Sequence, residues 1–300
     1  MKVLISGSTG LIGSAFVSSW AKDGNEVVRL VRGAANTPDT IAWAPSKGIL
    51  DRGAFEGVEG VVHLAGENIG SGRWTPAKKA AIRESRVRST ELLAQTMAEL
   101  DRPPAVWVCA SAIGYYGDRG DELLDEDSGP GEGFLPELCQ AWEAACMPAV
   151  DRGIRVVNLR FGVVLSPHGG ALKQMLPPFR LGLGGRIGSG KQITSWIALE
   201  DAVRAIRHSL EHPNTRGPVN ATTPNPVTNA EFSKALGKAL SRPAVVPVPA
   251  TAIRLMVGEM ADALLLSSAN VIPRKLNETG FSFLYPELEA AFAAMLHSNS

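Results

Sequence analysis

The first thirteen residues, MKVLISGSTGLIG, constrain the fold more than any other stretch of this 300-residue chain. Val3, Leu4 and Ile5 form an apolar run of strand length, too short for a helix. Gly7, Ser8, Thr9, Gly10, Leu11, Ile12 and Gly13 follow at once as a G-x-x-G-x-x-G loop. Beyond it Leu11, Ile12, Ala15, Phe16 and Trp20 recur at helical spacing, and Gly24 stands where a C-cap glycine would. Strand, glycine loop and helix in that order are the context a dinucleotide-binding turn requires. The glycines let the backbone turn tightly and approach a pyrophosphate, while the helix N–H groups and the positive dipole end hold its charge. The same spacing also suits a tight turn opening an ordinary βα unit, so the second strand has to separate the two readings.

That strand is Glu26 to Val31 (EVVRLV), which ends at Arg32-Gly33. In a dinucleotide fold the residue here meets the adenosine ribose: an acid accepts from the 2′-OH of NAD, whereas an arginine accommodates the 2′-phosphate of NADP. Arg32 stands at this place with no acid, which favours NADP (NADPH). Arg29, within the strand, reads as an outward-facing surface charge. Thr40 to Ala44 is a short third strand, and Val58 to Ala65 (VEGVVHLA) a stronger one that opens into Gly66-Glu67-Asn68. His63 lies inside that apolar run and reads as a satisfied core histidine. Pro76 to Leu100 is helical, and Arg83, Arg86 and Arg88 lie on its first half.

Ala105 to Ala110 (AVWVCA) is a further central strand, delivering Ser111 and then Gly114-Tyr115-Tyr116-Gly117 to the sheet's carboxyl edge, where open α/β sheets place ligands. Asp118 to Gly133 is acidic, glycine-rich and resembles a mobile loop. Phe134 to Val150 is helical, and Ile154 to Leu159 forms the next strand, ending at Arg160-Phe161-Gly162. After Ser166 the alternation breaks down: Gly169-Gly170, Pro177-Pro178 and GLGGRIGSG at 182–190 are loop-forming. Asp201 to Leu210 is a helix and Gly217 to Ala221 a last short strand. Thr228 to Leu240 and Ala250 to Ser268 are further helices, the latter with Met256, Met260, Leu264 and Leu265 on an apolar face.

Charge and composition narrow the partners. Thirty basic residues balance thirty acidic ones, so nothing electrostatic favours nucleic acid or an anionic membrane. No apolar stretch approaches the roughly 20 residues of a spanning helix. The strand begins at the N-terminus without an export signal, and the three cysteines form no C-x-x-C pair. A cytoplasmic protein with buried, reduced thiols follows as the expectation. The five histidines are scattered, and none is assigned a metal.

Together these motifs resemble the extended short-chain dehydrogenase/reductases of the NAD-dependent epimerase/dehydratase type. The matches are GSTGLIG at 7–13, HLAG at 63–66, SAIGYYG at 111–117, NLRFGVVL at 158–165 and GSGKQITSWIALED at 188–201. LAGENI at 64–69, SRVRST at 85–90, GPVNATTPNPVTNAEF at 217–232 and GFSFLYPELEAA at 280–291 are similar to the atypical, YfcH-type branch.

The resemblance implies an α/β, Rossmann-type doubly wound parallel sheet. Residues 1–165 would bind NADP, completed by the strand near 217–221, and residues 166–300 would form a smaller, mainly helical substrate or lid domain. It also implies that Gly7 to Gly13 hold the pyrophosphate, that Val31 and Arg32 meet the adenosine end, and that Leu64, Ala65 and Gly66 flank adenosine or ribose. Arg86 would reach the cofactor, and Arg160 would lie beneath the nicotinamide. Ser111 and Tyr116 are the candidate catalytic hydroxyls, and Glu67, Asn68 and Trp196 candidate substrate-pocket residues.

Competent members carry Tyr-x-x-x-Lys on a helix, the lysine lowering the tyrosine's pKa. Here FLPELCQAWEAAC puts Cys139 and Glu143 at those places, and the arginine that grips a substrate pyrophosphate near Thr194 is missing. The expected function is therefore an NADP(H)-binding, epimerase-like oxidoreductase acting on an unknown small molecule, as monomer or homodimer. The alternative is a non-catalytic NADP(H)-sensing protein.

Overall fold

The computed structural model describes residues 1–297. In chain order the first elements are β1 (Lys2–Ser6), α1 (Leu11–Lys22), β2 (Glu26–Val31), β3 (Thr40–Ala44), β4 (Ile49–Leu50), β5 (Gly60–His63), α2 (Pro76–Ala98) and β6 (Val106–Ala112). They are followed by β7 (Leu123–Leu124), α3 (Phe134–Ala144), α4 (Met147–Asp151), β8 (Arg155–Phe161), β9 (Val163–Leu165) and α5 (Gly170–Arg180). Next come β10 (Ile193–Thr194), β11 (Trp196–Ala198), α6 (Leu199–Glu211) and β12 (Gly217–Ala221). The last are β13 (Val227–Thr228), α7 (Asn229–Ala239), α8 (Ala250–Val257), β14 (Asn270–Val271), α9 (Arg274–Glu278) and α10 (Leu288–His297).

Eight strands form the central sheet in the order β12-β8-β6-β5-β1-β2-β3-β4, parallel throughout except for the β3–β4 edge. The expected doubly wound sheet is therefore present. Val3, Leu4 and Ile5 of β1 and Val61 and Val62 of β5 are almost completely buried, as strands covered on both faces must be. The strand order reverses between β1 and β5, so the crevice at their carboxyl ends is where a ligand binds in such a sheet. Helix α1 packs through Gly13, Phe16 and Trp20, the two rings stacked 5.4 Å apart one helical turn from each other. A second core gathers Leu172, Leu176 and Phe179 of α5, Phe232 of α7 and Phe292 of α10. The buried carboxylate of Asp201 ties the tail to α6 by accepting from the N–H groups of Leu284 (2.8 Å) and Tyr285 (2.9 Å).

Four local expectations need correction. The 118–133 segment is anchored rather than mobile: β7 pairs with β14, and the buried Glu126 accepts from the N–H groups of Asn220 and Lys275. Pro177 and Pro178 lie inside α5, because burial of Leu172, Leu176 and Phe179 on one face outweighs the proline penalty. The 250–268 helix is broken at Gly258, whose φ of +66° suits glycine, and continues as a π-helical turn over Ala261–Leu266. Its apolar face is not uniform core: Met260 is buried but Met256 is 68% exposed. All three cysteines are free and buried, and no helix among the described residues is long and apolar enough to cross a membrane.

Candidate functional site

Three concavities follow one another along the carboxyl edge of the sheet. The central groove, about 310 Å³, is lined by Gly7, Gly10, Leu11, Ile12, Gly13 and Leu64, and opposite them by Phe161 and Val163. Two of its glycines, Gly7 and Gly13, are required by close approach. A Cβ on Gly7, whose φ is +75°, would lie 2.7 Å from the backbone of Ala65, and one on Gly13 would lie 2.1 Å from the Gly7 carbonyl oxygen. Gly10 caps α1 without any side-chain hydrogen bond, so the first turn of that helix keeps N–H groups unsatisfied by side chains. Ser8 is buried behind the loop and Thr9 exposed at its tip.

At one end lies a recess of about 270 Å³ formed in part by Arg32, Trp43, Ala65, Gly66, Glu67 and Arg88. Arg32 is exposed and makes no ion pair among the described residues. Val31 continues into the sheet opposite Ala42. Arg86 is packed inward. Its guanidinium lies against Gly66 and 5.1 Å from the Trp142 ring, and it donates to the carbonyls of Glu67 and Ile82 (both 3.1 Å). Burial pulls its pKa below that of a free arginine, and no carboxylate pairs with it among the described residues. A half-buried guanidinium in no ion pair at the recess, and in the adjoining groove an uncapped helix N-terminus with two glycines that admit no Cβ, fit a phosphate-bearing dinucleotide.

At the other end, sharing Val163 with the groove, lies the largest cavity, about 420 Å³. Trp74, Phe134, Leu135, Leu264 and Leu265 supply apolar wall, and Thr194 and Asp118 polar wall.

Residues 3–221 match the family model described as the NAD dependent epimerase/dehydratase family, and residues 248–295 match a domain of unknown function, DUF1731. The chain belongs to the NAD dependent epimerase/dehydratase family. Among curated members, the Epimerase family protein Mb2239 of Mycobacterium bovis is 46% identical over 281 residues, covering 94% of this chain and 93% of its own. The crystal structure of human epimerase family protein SDR39U1 with NADPH superimposes with a TM-score of 0.91 at 36% identity, covering 99% of this chain and all of the human one. A protein of Corynebacterium glutamicum described as a nucleoside-diphosphate sugar epimerase is also 36% identical, with a TM-score of 0.81 over 99% of this chain and 58% of its own.

Within this epimerase-family member, the carboxyl ends of β6 and β8 and helix α3 carry a polar network. Ser111 is 3% exposed and donates to Glu143 Oε1 at 2.7 Å. Arg160 grips the same carboxylate with two bonds of 2.8 Å, from Nε to Oε1 and from Nη2 to Oε2. It also donates to the Tyr116 hydroxyl (3.0 Å) and lies 3.5 Å from the Tyr115 ring centre. Burial works against the Arg160 charge, but the Glu143 carboxylate more than offsets it and the pKa is raised. Cys139 of α3 points its Sγ to the Ala112 carbonyl, and burial pushes its thiol up to about 12.

The structure overturns several assignments. Tyr116 is completely buried, its hydroxyl donating to Asn220 Oδ1 (2.7 Å) while accepting from Arg160, and burial raises its pKa to about 12. Held on both sides by Asn220 and Arg160, its hydroxyl is a structural one rather than an acid/base. Arg160 is likewise spent on Glu143 and does not line the groove. Trp196 has no exposure at all and donates its indole N–H to the Asn225 carbonyl inside the second core. Glu67 faces the Arg32 recess, not the large cavity. The Lys78 ammonium, at 2.7 Å, holds its carboxyl below the usual range. Asn68 is exposed and closes a turn onto the Gly70 N–H. Sequence reasoning missed Glu143 as a partner of Ser111. Its spacing four residues after Cys139 was visible, but the contact spans 32 residues and two elements.

Proposed function

We propose that this chain is an NADP(H)-binding, epimerase-like oxidoreductase acting on a small molecule in the large cavity, with Ser111 as the hydroxyl through which the substrate proton passes. The observation that carries the cofactor reading is the pair of arginines at the recess, Arg32 on its wall and Arg86 against Gly66, neither in an ion pair among the described residues. The NADPH bound to the human relative supports it. The α1 N-terminus and Gly7, Gly10 and Gly13 would hold the pyrophosphate, Ala65 and Gly66 would flank the adenosine, and Arg32 and Arg88 would face the 2′-phosphate. When bound, the nicotinamide supplies hydride transfer at its C4. Ser111 is itself buried and lines neither concavity, but it lies on β6 between Ala110 of the groove wall and Ile113 of the cavity wall, and Glu143, fixed by Arg160, holds its hydroxyl in one orientation.

A second reading, stoichiometric NADP(H) sensing without turnover, is favoured by one observation: the α3 stretch FLPELCQAWEAAC carries neither a tyrosine nor a lysine. Titrating NADPH and NADH against the protein, with a carbonyl panel followed at the reduced-nicotinamide absorbance, decides between them. NADPH is expected to bind at least about tenfold more tightly than NADH, roughly 1.4 kcal/mol, and Arg32→Ala to remove that preference. Ser111→Ala should keep NADPH affinity and slow turnover about 100-fold or more, the lower range for a positioned proton-transfer group. Equal affinity for NADH and NADPH refutes the cofactor reading, and saturable NADPH binding without oxidation across the panel favours the sensor.

A further inference from the structure

We infer that the large cavity takes an uncharged, largely apolar carbonyl compound and turns away phosphorylated and carboxylated ones. The inference rests on the proposed function only in placing the substrate there. Every charged side chain lining the cavity is acidic: Asp118, Glu132, Glu259 and Asp262. No lysine, arginine or histidine lines it among the described residues. Glu259 and Asp262 are paired with Lys79 (2.6 Å) and Arg254 (2.8 Å), neither of which lines the cavity, and the Lys79 ammonium also lies 5.2 Å from the Phe134 ring centre. Asp118 accepts from the Ser268 N–H (3.1 Å), and Glu132 has no ion-pair partner among the described residues.

A diphosphate needs charge-assisted donors, and this wall offers none from side chains. Its one partial positive charge is the uncapped start of α3, where Gly133 to Pro136 line the cavity. About half an elementary charge resides at such a terminus. Pro136 lacks an N–H, and the whole negative charge of Glu132 stands beside it, so the balance there is against an anion. What remains is apolar surface, with Trp74 and Phe134 in edge contact at 5.3 Å, and one polar handle: the Thr194 hydroxyl makes no hydrogen bond among the described residues. A volume of about 420 Å³ suits a two-ring molecule.

The test compares 2-acetonaphthone, its carboxylate 6-acetyl-2-naphthoate and UDP-glucose by isothermal titration at low ionic strength, with and without saturating NADPH. The neutral ketone is expected to bind, the carboxylate at least about tenfold more weakly, and UDP-glucose not measurably. Glu132→Gln combined with Asp118→Asn should narrow the gap between ketone and carboxylate several-fold. Binding of the carboxylate or of UDP-glucose as tight as that of the ketone, an unchanged gap in the double variant, or no binding of the ketone overturns the inference. The NADPH titration on the same sample judges the cofactor reading separately.

Discussion

Replacing Glu143 by glutamine tests whether the network under Ser111 is a buried ion pair or a solvated one. The Arg160 side chain is 3% exposed and that of Glu143 14%, and two bonds of 2.8 Å join them. Charge centres about 4 Å apart at an effective dielectric near 20 attract by about 4 kcal/mol. Glutamine keeps the shape and one acceptor oxygen, which offsets about 1 kcal/mol. The variant should therefore lose about 3 kcal/mol, as expected when one partner of a buried pair is removed and the other charge is stranded. Urea unfolding followed by tryptophan fluorescence measures the loss as a shift in midpoint at unchanged slope. The double variant Glu143→Leu with Arg160→Met should recover at least half of it, since no charge is then left buried. A loss below about 1 kcal/mol, or a double variant no more stable than Glu143→Gln, refutes the assignment of a desolvated pair.

Three further outcomes follow from particular contacts. His63 is fully buried between Ser6 (2.5 Å) and Ser89 (3.0 Å), and burial, with Arg86 adding to it, brings its pKa down from 6.5 to about 3. The unfolded chain then binds the extra proton, so its stabilisation is complete above about pH 6.5 and is lost as pH falls toward 3; 1.5 units of pH at 1.36 kcal/mol each give about 2 kcal/mol between pH 6.5 and 5. His63→Leu should flatten the stability–pH curve by that amount, and parallel curves for the two proteins would refute the shift. Gly13→Ala should cost about 1–3 kcal/mol of stability and abolish nucleotide binding, because its Cβ meets the Gly7 carbonyl; Gly10→Ala, with its nearest contact at 3.4 Å, should leave stability intact and weaken only the nucleotide, both read by thermal unfolding and NADPH titration. Tyr116→Phe should lower stability by about 1–3 kcal/mol, by leaving Asn220 Oδ1 and an Arg160 N–H without their partner, while NADPH affinity is unchanged; intact stability would return Tyr116 to the list of candidate acids.

By itself the sequence determined the dinucleotide half of this protein. Its signals are local: a five-residue strand, seven loop residues and a helix start, then an arginine at the end of the next strand. Backbone sterics tie glycine spacing to conformation within a single turn, so Gly7, Gly10 and Gly13 needed no tertiary information to be read. The burial of His63 and of the three thiols followed from apolar runs in the same way. Tertiary structure decided everything that depends on distance in the chain. Tyr116 and Trp196 carry functional-looking chemistry, yet Asn220, 104 residues from Tyr116, and Asn225, 29 residues from Trp196, take up their polar atoms inside the core. Glu143 became the partner of Ser111 and Arg160 only when α3 packed beside β6 and β8. The acidic 118–133 segment became a fixed cavity wall because Glu126 and β7 bind chain 94 to 149 residues away. The charge of the large cavity is likewise a tertiary property, since its four acids come from two segments far apart in the chain and the cations paired with two of them are not part of its wall.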